Sequence, residues 1–246
     1  MNDSSAPRQV TPETAAASHR PSGPHPGILA TVSLLLMLAG LALTAALSAG
    51  QQFVGPFAPS DTVATFFRDN PVAVRVGSML QFGSAVPLGI YAATVYARQL
   101  QLGVRVPGPA IAFFGGITAS LMLMVSAMLA WVVSRPEISV DAVLTHALVF
   151  LAFITGGVGY TTGLGLLVAG VAVPFLVLRL APAWFAWAGL VLAAVAELSF
   201  LSMTIEALQF LLPVARFGGL AWLVAAGFLL PRTRAAANQA VTRVRG

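Results

Sequence analysis

Glu197 is the residue whose type and position most clearly indicate chemistry. It lies inside a long apolar run, residues 183–205. A charged carboxylate in the hydrocarbon of a membrane costs several kcal/mol unless it is paired, so its position predicts either a buried ion pair or a functional acid. On a regular helix Glu206 falls on the opposite face, which excludes a catalytic carboxylate pair, whereas Thr204 shares the face of Glu197.

The candidate partners of Glu197 are polar side chains at a similar depth in other apolar runs: Arg75, Gln81, His146 and Arg216. If these side chains and Thr204 surround a space open to the outside, they form a polar cavity that binds a small ligand or passes a proton through Glu197. If Arg75 or Arg216 pairs with Glu197, the pair instead fixes the register of the helices. The two arginines could also extend to the outer interface and leave Glu197 protonated. The sequence leaves these alternatives open.

Several kinds of chemistry are excluded by residue type. The chain has no cysteine and no lysine, which excludes disulfides, thiol nucleophiles, cysteine-ligated metals and lysine Schiff bases. His146 cannot hold a transmembrane haem, because His19 and His25 lie near the N-terminus and supply no second ligand at its depth. The patterns of phosphate loops, dinucleotide sites, nucleophile elbows and zinc proteases are also absent. We therefore expect no catalytic set, no cofactor and no metal.

The composition predicts an all-α integral membrane protein. Of the 246 residues, 58% are hydrophobic and 9% are charged, whereas about a quarter of a soluble domain is charged. The basic residues that produce the net charge of +5 are all arginines, and they stand at the ends of apolar runs. Because they do not form a patch on a soluble domain, the expected partner is the lipid bilayer and not nucleic acid.

Six apolar runs are each about long enough to cross the hydrocarbon core, which takes roughly 20 helical residues. They are residues 28–48, 72–97, 110–133, 150–178, 183–205 and 214–230. The first run is longer than the apolar part of a signal peptide, so we interpret it as a span and not as a cleaved leader. Residues 1–26, rich in Ser, Pro and Ala, predict a disordered cytoplasmic tail, and residues 232–246 a basic cytoplasmic tail. Residues 27–231 then form one transmembrane domain.

The run 139–178 is long enough for either one helix or two. A single crossing places Arg98, Arg105 and Arg179 on the same side as both tails, as the excess of basic residues in cytoplasmic loops requires. We therefore predict an interfacial or partly inserted lead-in over residues 139–149, followed by the fourth span, with both termini in the cytoplasm. On the outer side, Ser60 is the expected N-cap of a short interfacial helix.

Small residues recur at every fourth position in three of the runs. They are Ala112, Gly116 and Ser120; Gly159 and Gly163; and Ala42, Ala46 and Gly50. Helices in lipid associate by close approach of their backbones, which such spacing permits. We expect these positions to pack within the bundle, with a dimer face as the alternative.

Four short sequence patterns are similar to patterns of a known protein family. They are residues 67–77 before the second span, the glycine-tyrosine run 159–163, residues 178–182, and the arginines after the sixth span. From about Phe66 to its end the chain resembles a family of uncharacterised bacterial six-helix integral membrane proteins, a domain of unknown function. That family often has a histidine just before the glycine-tyrosine pair, and residues 155–158 contain none. The resemblance implies six spans in a bacterial inner membrane, and it implies no mechanism.

The favoured functional hypothesis is a non-enzymatic membrane protein. It would be a permease for a small molecule or an ion, or a structural or sensory component whose partner is a second copy of the chain or another membrane protein. The alternative is a membrane-embedded enzyme that acts on a lipid or isoprenoid with Glu197 as the acid or base. Such enzymes normally cluster several acids and histidines, and here only Glu197 is embedded, so the enzyme is the second hypothesis.

Overall fold

A computed structural model describes residues 23–51 and 54–231, and within them every regular element is helical. The elements are α1 (Pro26–Leu47), α2 (Ser60–Asp69), α3 (Pro71–Gln101), α4 (Gly108–Val133), α5 (Pro136–Ser139), α6 (Ala142–Ile154), a π-helical turn (Thr155–Gly159), α7 (Tyr160–Val177), α8 (Ala183–Leu198), two 3₁₀ turns (Ser199–Met203 and Glu206–Phe210) and α9 (Leu211–Leu229). Residues 1–22 of the predicted N-terminal tail and the whole predicted C-terminal tail lie outside the described residues.

Six long helical segments run along the bundle: α1, α3, α4, α6 with α7, α8, and α9. Each is antiparallel to the one before it. In α1, for example, Ser33 donates to the carbonyl of Ser84, whereas Thr44, further along α1, donates to that of Ala73, nearer the start of α3. Equivalent antiparallel pairs along the later helices are Ala85 with Ser120, Gln81 with Ser126, Ala119 with Gly163, Ala112 with Gly170, Thr161 with Ser199, and Phe185 with Trp222.

The last helix returns to the first. A Cβ on Gly227 of α9 would lie 2.5 Å from the backbone nitrogen of Gly27 in α1, and the rings of His25 and Phe228 are 5.1 Å apart. Both ends of the described chain therefore meet at one end of the bundle. The opposite end carries α2 and α5, and we call it the α2 end.

Five helical segments are long and apolar enough to cross a membrane: Pro26–Leu47, Gly108–Val133, Ala142–Val177, Ala183–Met203 and Glu206–Leu229. The expectation of an all-helical, multi-pass membrane protein is confirmed at this level. α3 has 31 residues but is not among the five. Its sequence includes Arg75, Gln81 and Arg98, which make it more polar than its neighbours α1 and α4.

Glycines allow α4 and α7 to pack with their backbones in close contact. A Cβ on Gly163 would lie 2.6 Å from the backbone nitrogen of Ala119, and one on Gly170 would lie 2.6 Å from that of Ala112. We call this contact the α4–α7 seam. Ala112, Gly116 and Ser120 are buried in the bundle, as expected for the stripe in the third span.

The small residues of the first run behave differently. Ala42, Ala46 and Gly50 are all exposed, so the expectation that they pack within the bundle is wrong for this chain. Ala42 and Ala46 lie in the half of α1 that extends beyond the closest contacts with α9, which lie near Gly27, and Gly50 follows the end of α1.

The fourth span is longer than predicted. One continuous helical segment of 36 residues extends from Ala142 to Val177, which agrees with a single helix and not two. The predicted boundary at residue 150 is wrong, because residues 142–149 of the predicted lead-in are already part of this helix. Asp141 starts it by accepting a hydrogen bond from the Leu144 backbone nitrogen.

Ser60 does not cap α2. Pro59 stands at the cap position in an extended conformation (φ −55°, ψ 142°), and Ser60 is already the first helical residue, without a side-chain capping bond. Ser60 therefore cannot act as the N-cap. α2 is held by its apolar face, since Val63, Phe66 and Phe67 are buried against other helices at the α2 end.

Candidate functional site

A cavity of about 700 Å³ lies at the α2 end of the bundle. Its wall comes from α1, α2, α3, α4, α6, the π-helical turn and α9, and it is mostly apolar. The polar side chains in the wall are Thr44, Ser48, Gln51, Ser78, Gln81, Ser126, Gln209 and Arg216. A largely apolar cavity of this size with a few polar groups is typical of small-molecule sites.

Among the described residues that line the cavity, Arg216 is the only one with a charged side chain. It lies near the start of α9, where its guanidinium donates a hydrogen bond to the carbonyl of Gly156 and stands 4.9 Å from the centre of the Tyr160 ring. The one ion pair in the described part of the chain joins Arg135 to Glu137, 3.8 Å apart. The positive charge of Arg216 thus has a carbonyl and an aromatic face beside it, but no carboxylate.

The π-helical turn supplies the carbonyl that Arg216 binds. A π turn widens the helix and shifts its backbone hydrogen bonds away from the α pattern. Here the carbonyl of Gly156 accepts from Arg216, and that of Ala152 accepts from the Ser126 hydroxyl at 2.8 Å. A Cβ on Gly156 would collide with the Ser126 hydroxyl, so only glycine fits this position without movement.

A chain of hydrogen bonds fixes the polar wall. The side-chain nitrogen of Gln81 donates to the Ser126 hydroxyl at 3.1 Å, and that hydroxyl donates in turn to Ala152. Because Gln81 is on α3, Ser126 on α4 and Ala152 on α6, these bonds connect three helices at the cavity. Hydrogen bonds between helices also help to hold them together where water is absent.

The structure brings two of the predicted site residues, Gln81 and Arg216, into this cavity. Arg75, His146, Glu197 and Thr204 are not among the residues that line it. The Arg75 Nε donates to the carbonyl of Pro71, one turn earlier in its own helix, at 3.1 Å.

His146 lies behind the cavity wall. Its Nε2 is 2.6 Å from the carbonyl oxygen of Pro56, and Pro56 itself lines the cavity. The imidazole also packs against the Phe150 ring, with centres 4.9 Å apart. His146 therefore connects α6 to the segment that joins α1 and α2.

Glu197 is half-buried on α8, and no arginine is close enough to form an ion pair with it in the described part of the chain. Its Oε1 is buried without a hydrogen-bond partner and lies 2.8 Å from the position that a Cβ on Gly165 would occupy. The prediction that Thr204 shares the face of Glu197 assumed a regular α-helix, and that premise does not hold, because the α-helix ends at Leu198 and a 3₁₀ turn follows. Thr204 is exposed.

Sequence reasoning did not identify Ser126, Gly156 or Gln209 as part of a site. Ser126 and Gly156 are small residues of the kind that occurs throughout these helices, and the π turn that gives Gly156 its role has no sequence signature. Gln209 was detectable as a polar residue between two apolar runs. Within residues 23–51 and 54–231, no group of three or more His, Asp or Glu side chains could hold a metal ion.

Comparisons with known proteins give no match: no family model, no curated protein and no solved structure is similar to this chain. The resemblance to a six-helix bacterial family therefore has no support from a family model, and function must be argued from the cavity itself.

Proposed function

We propose that this protein crosses the bilayer six times, with both ends in the cytoplasm, and that its cavity binds a small molecule in the manner of a permease or a sensory component. The observation that carries the proposal is a largely apolar cavity of about 700 Å³ in which Arg216 is the one charged residue of the described lining. The lining residues support binding of a ligand and not a chemical reaction of the bound molecule.

Six crossings are supported by the alternating direction of the helices. α3 has 31 residues, far more than the roughly 20 needed to cross a bilayer, and it packs between α1 and α4. An even number of crossings returns both ends to one side, consistent with the contact between His25 and Phe228. Arg98, Arg105 and Arg179 are at or near that end of the bundle, as the positive-inside rule expects for the cytoplasmic side.

Cysteine labelling tests this topology, because the chain has no cysteine of its own. Asp61 and Arg105 are exposed residues that precede and follow α3. In intact cells, a maleimide that cannot cross the membrane should label Asp61→Cys but not Arg105→Cys, while both react after lysis. Labelling of both variants in intact cells, or of neither, would show that α3 does not cross. Labelling of Arg105→Cys alone would reverse the orientation.

The lining of the cavity supports binding more than catalysis. Its described residues include no Asp, Glu or His, which are the usual proton-transfer groups of enzymes. Glu197, the acid of the enzyme hypothesis, does not line the cavity. Gln81, Ser126 and Arg216 can orient a ligand by hydrogen bonds without exchanging protons with it.

A pair of alanines on α1 allows a controlled test of ligand binding. Ala45 and Ala42 are both exposed, but only Ala45 lines the cavity. We expect small amphipathic molecules to raise the unfolding temperature of the detergent-solubilised wild type and of Ala42→Trp, but not that of Ala45→Trp. The measurement is thermal unfolding against a panel of anionic, neutral and cationic amphiphiles. The proposal fails if no member stabilises the wild type, or if all three proteins respond equally.

A further inference from the structure

We infer that the ligand of this cavity is a single-chain anionic amphiphile, whose negative head group binds Arg216 and whose apolar chain lies along the wall formed by α1 and α9. The inference rests on the proposed function, since it names the chemical class of the molecule that the cavity binds. It is carried by four features of the cavity: the unused donors at Arg216, the unbalanced charge of Arg216, the apolar character of the remaining wall, and exposed positions at its border.

The cavity wall contains hydrogen-bond donors without a partner among the described residues. A guanidinium has five N–H groups, and in the described part of the chain the side chain of Arg216 has a single hydrogen-bond acceptor, the carbonyl of Gly156. Gln209 lines the same cavity, and its side-chain amide has no hydrogen-bond partner among the described residues. Two side chains with free donors therefore stand in one wall.

Charge then selects the ligand. Within residues 23–51 and 54–231, no acidic side chain lines the cavity to balance Arg216, and an unpaired charge at membrane depth is costly. A bound anion removes that cost and can accept two parallel N–H bonds from the guanidinium, as carboxylates and phosphates do. A cation would be repelled by Arg216, and a neutral molecule would leave its charge unbalanced.

The apolar wall indicates that the anion carries a chain. Leu41, Val149, Phe153, Leu212 and Phe217 are among the lining residues. A small inorganic anion would lose its hydration over most of its surface in this cavity, with polar contacts at only a few points. An alkyl chain instead gains free energy in proportion to the area that the wall covers.

Part of the wall also belongs to the outer surface of the bundle. Leu41 and Ala45 of α1, and Pro213 of α9, are exposed and also line the cavity. In a membrane these positions face lipid, so an amphiphile can reach Arg216 from within the bilayer with its chain in apolar surroundings throughout. A volume of about 700 Å³ suits one drug-sized molecule, which favours a single chain.

The test uses the full chain in nanodiscs of zwitterionic lipid, with empty nanodiscs as the blank and three radiolabelled probes. Dodecanoate and dodecyl phosphate carry the two head groups that share the required chemistry, and dodecanol is the neutral analogue with the same chain. We expect the wild type to bind the anionic probes at least about tenfold more tightly than dodecanol, since hydrogen bonds to charged groups have that magnitude. The anionic probe that binds with the higher affinity shows whether the cavity prefers a carboxylate or a phosphate head group.

Variants then assign this preference to Arg216. Arg216→Gln should lose most of the tenfold advantage for the anions and still bind dodecanol as the wild type does, which also shows that the cavity is intact. Arg75→Gln is the matched control, because Arg75 is a half-buried arginine outside the cavity lining. We expect Arg75→Gln to keep the preference for anions.

The outcomes separate this inference from the proposed function. Equal binding of dodecanol and dodecanoate by the wild type, or equal losses in Arg75→Gln and Arg216→Gln, would overturn the anionic class while leaving a binding cavity. Absence of binding by all three probes would overturn the inference, and the thermal panel with Ala45→Trp decides separately on the cavity. If Arg216→Gln does not fold, the wild-type comparison of dodecanoate with dodecanol still decides.

Discussion

The α4–α7 seam and the cavity use glycines of the same continuous helical segment in opposite ways. In the seam, Gly163 and Gly170 bring two backbones together and leave no space between the helices. Nearer the start of the same segment than Gly163, Gly156 and Gly157 lie in the π-helical turn and line the cavity. There Gly156 makes room for the side chain of Ser126. The role of these glycines thus depends on whether backbone or a side chain stands opposite them, and not on glycine content.

The largest expected effect comes from disturbing the seam. In Gly163→Ala the new Cβ would lie 2.6 Å from the Ala119 backbone nitrogen and 2.8 Å from the Gly115 carbonyl oxygen. Neither backbone atom can move without separating the helices, so we expect a loss of about 1–3 kcal/mol, the usual cost of overpacking. Denaturant unfolding in mixed micelles measures this loss.

Gly83→Ala is the matched control for the seam. The nearest atom to its new Cβ would be a side-chain carbon of Leu36 at 3.8 Å, an ordinary contact. Its unfolding free energy should equal that of the wild type or rise slightly. Equal losses in the two variants would mean that alanine is harmful in these helices generally, and that the seam is not special.

The second effect concerns the glycine of the π turn. In Gly156→Ala the Cβ would collide with the hydroxyl of Ser126, which donates to the carbonyl of Ala152. We expect a loss of about 1–2 kcal/mol, from strain and one buried hydrogen bond. Binding of anionic ligands should weaken as well, because the Gly156 carbonyl holds Arg216 in place.

A double variant sharpens this second prediction. Ser126→Ala removes the hydroxyl with which the new Cβ collides, so adding it to Gly156→Ala should cost less than the sum of the two single losses. A coupling of at least about 0.5 kcal/mol is expected for residues in direct contact. Strict additivity of the three unfolding free energies would show that the two side chains do not meet.

A smaller effect is expected at the segment that borders the cavity. His146→Phe keeps an aromatic ring against Phe150 but loses the contact with the Pro56 carbonyl at 2.6 Å. The loss should be about 1 kcal/mol, the net value of one hydrogen bond. Because Pro56 lines the cavity, ligand should also dissociate faster, which a stopped-flow chase can measure. An unchanged dissociation rate would show that this segment does not restrict exit.

The sequence predicted the helices of this fold better than it predicted the contacts of the site. The third run, predicted at residues 110–133, is α4 from Gly108 to Val133, because uninterrupted apolar composition sets the length of a span. Depth along each helix also follows from counting residues. The rotation of each helix about its axis cannot be found by counting residues, because it depends on which small residues allow two helices to approach each other closely. Gln81 and Arg216 therefore meet at the cavity while Glu197 does not.

The smallest effect should come from Glu197, the residue that the sequence made most prominent. No arginine lies within ion-pair distance of it in the described part of the chain, and its Oε1 is buried without a hydrogen-bond partner, so Glu197→Gln should cause no loss of unfolding free energy, because it removes a buried charge and breaks no contact. Breaking a buried ion pair would cost about 3–5 kcal/mol instead. Glu197→Leu separates the remaining roles: if it too is neutral, the carboxyl has no structural partner. Unchanged ligand binding in both variants would then remove the enzyme hypothesis as well, because that hypothesis needs Glu197 beside the bound molecule.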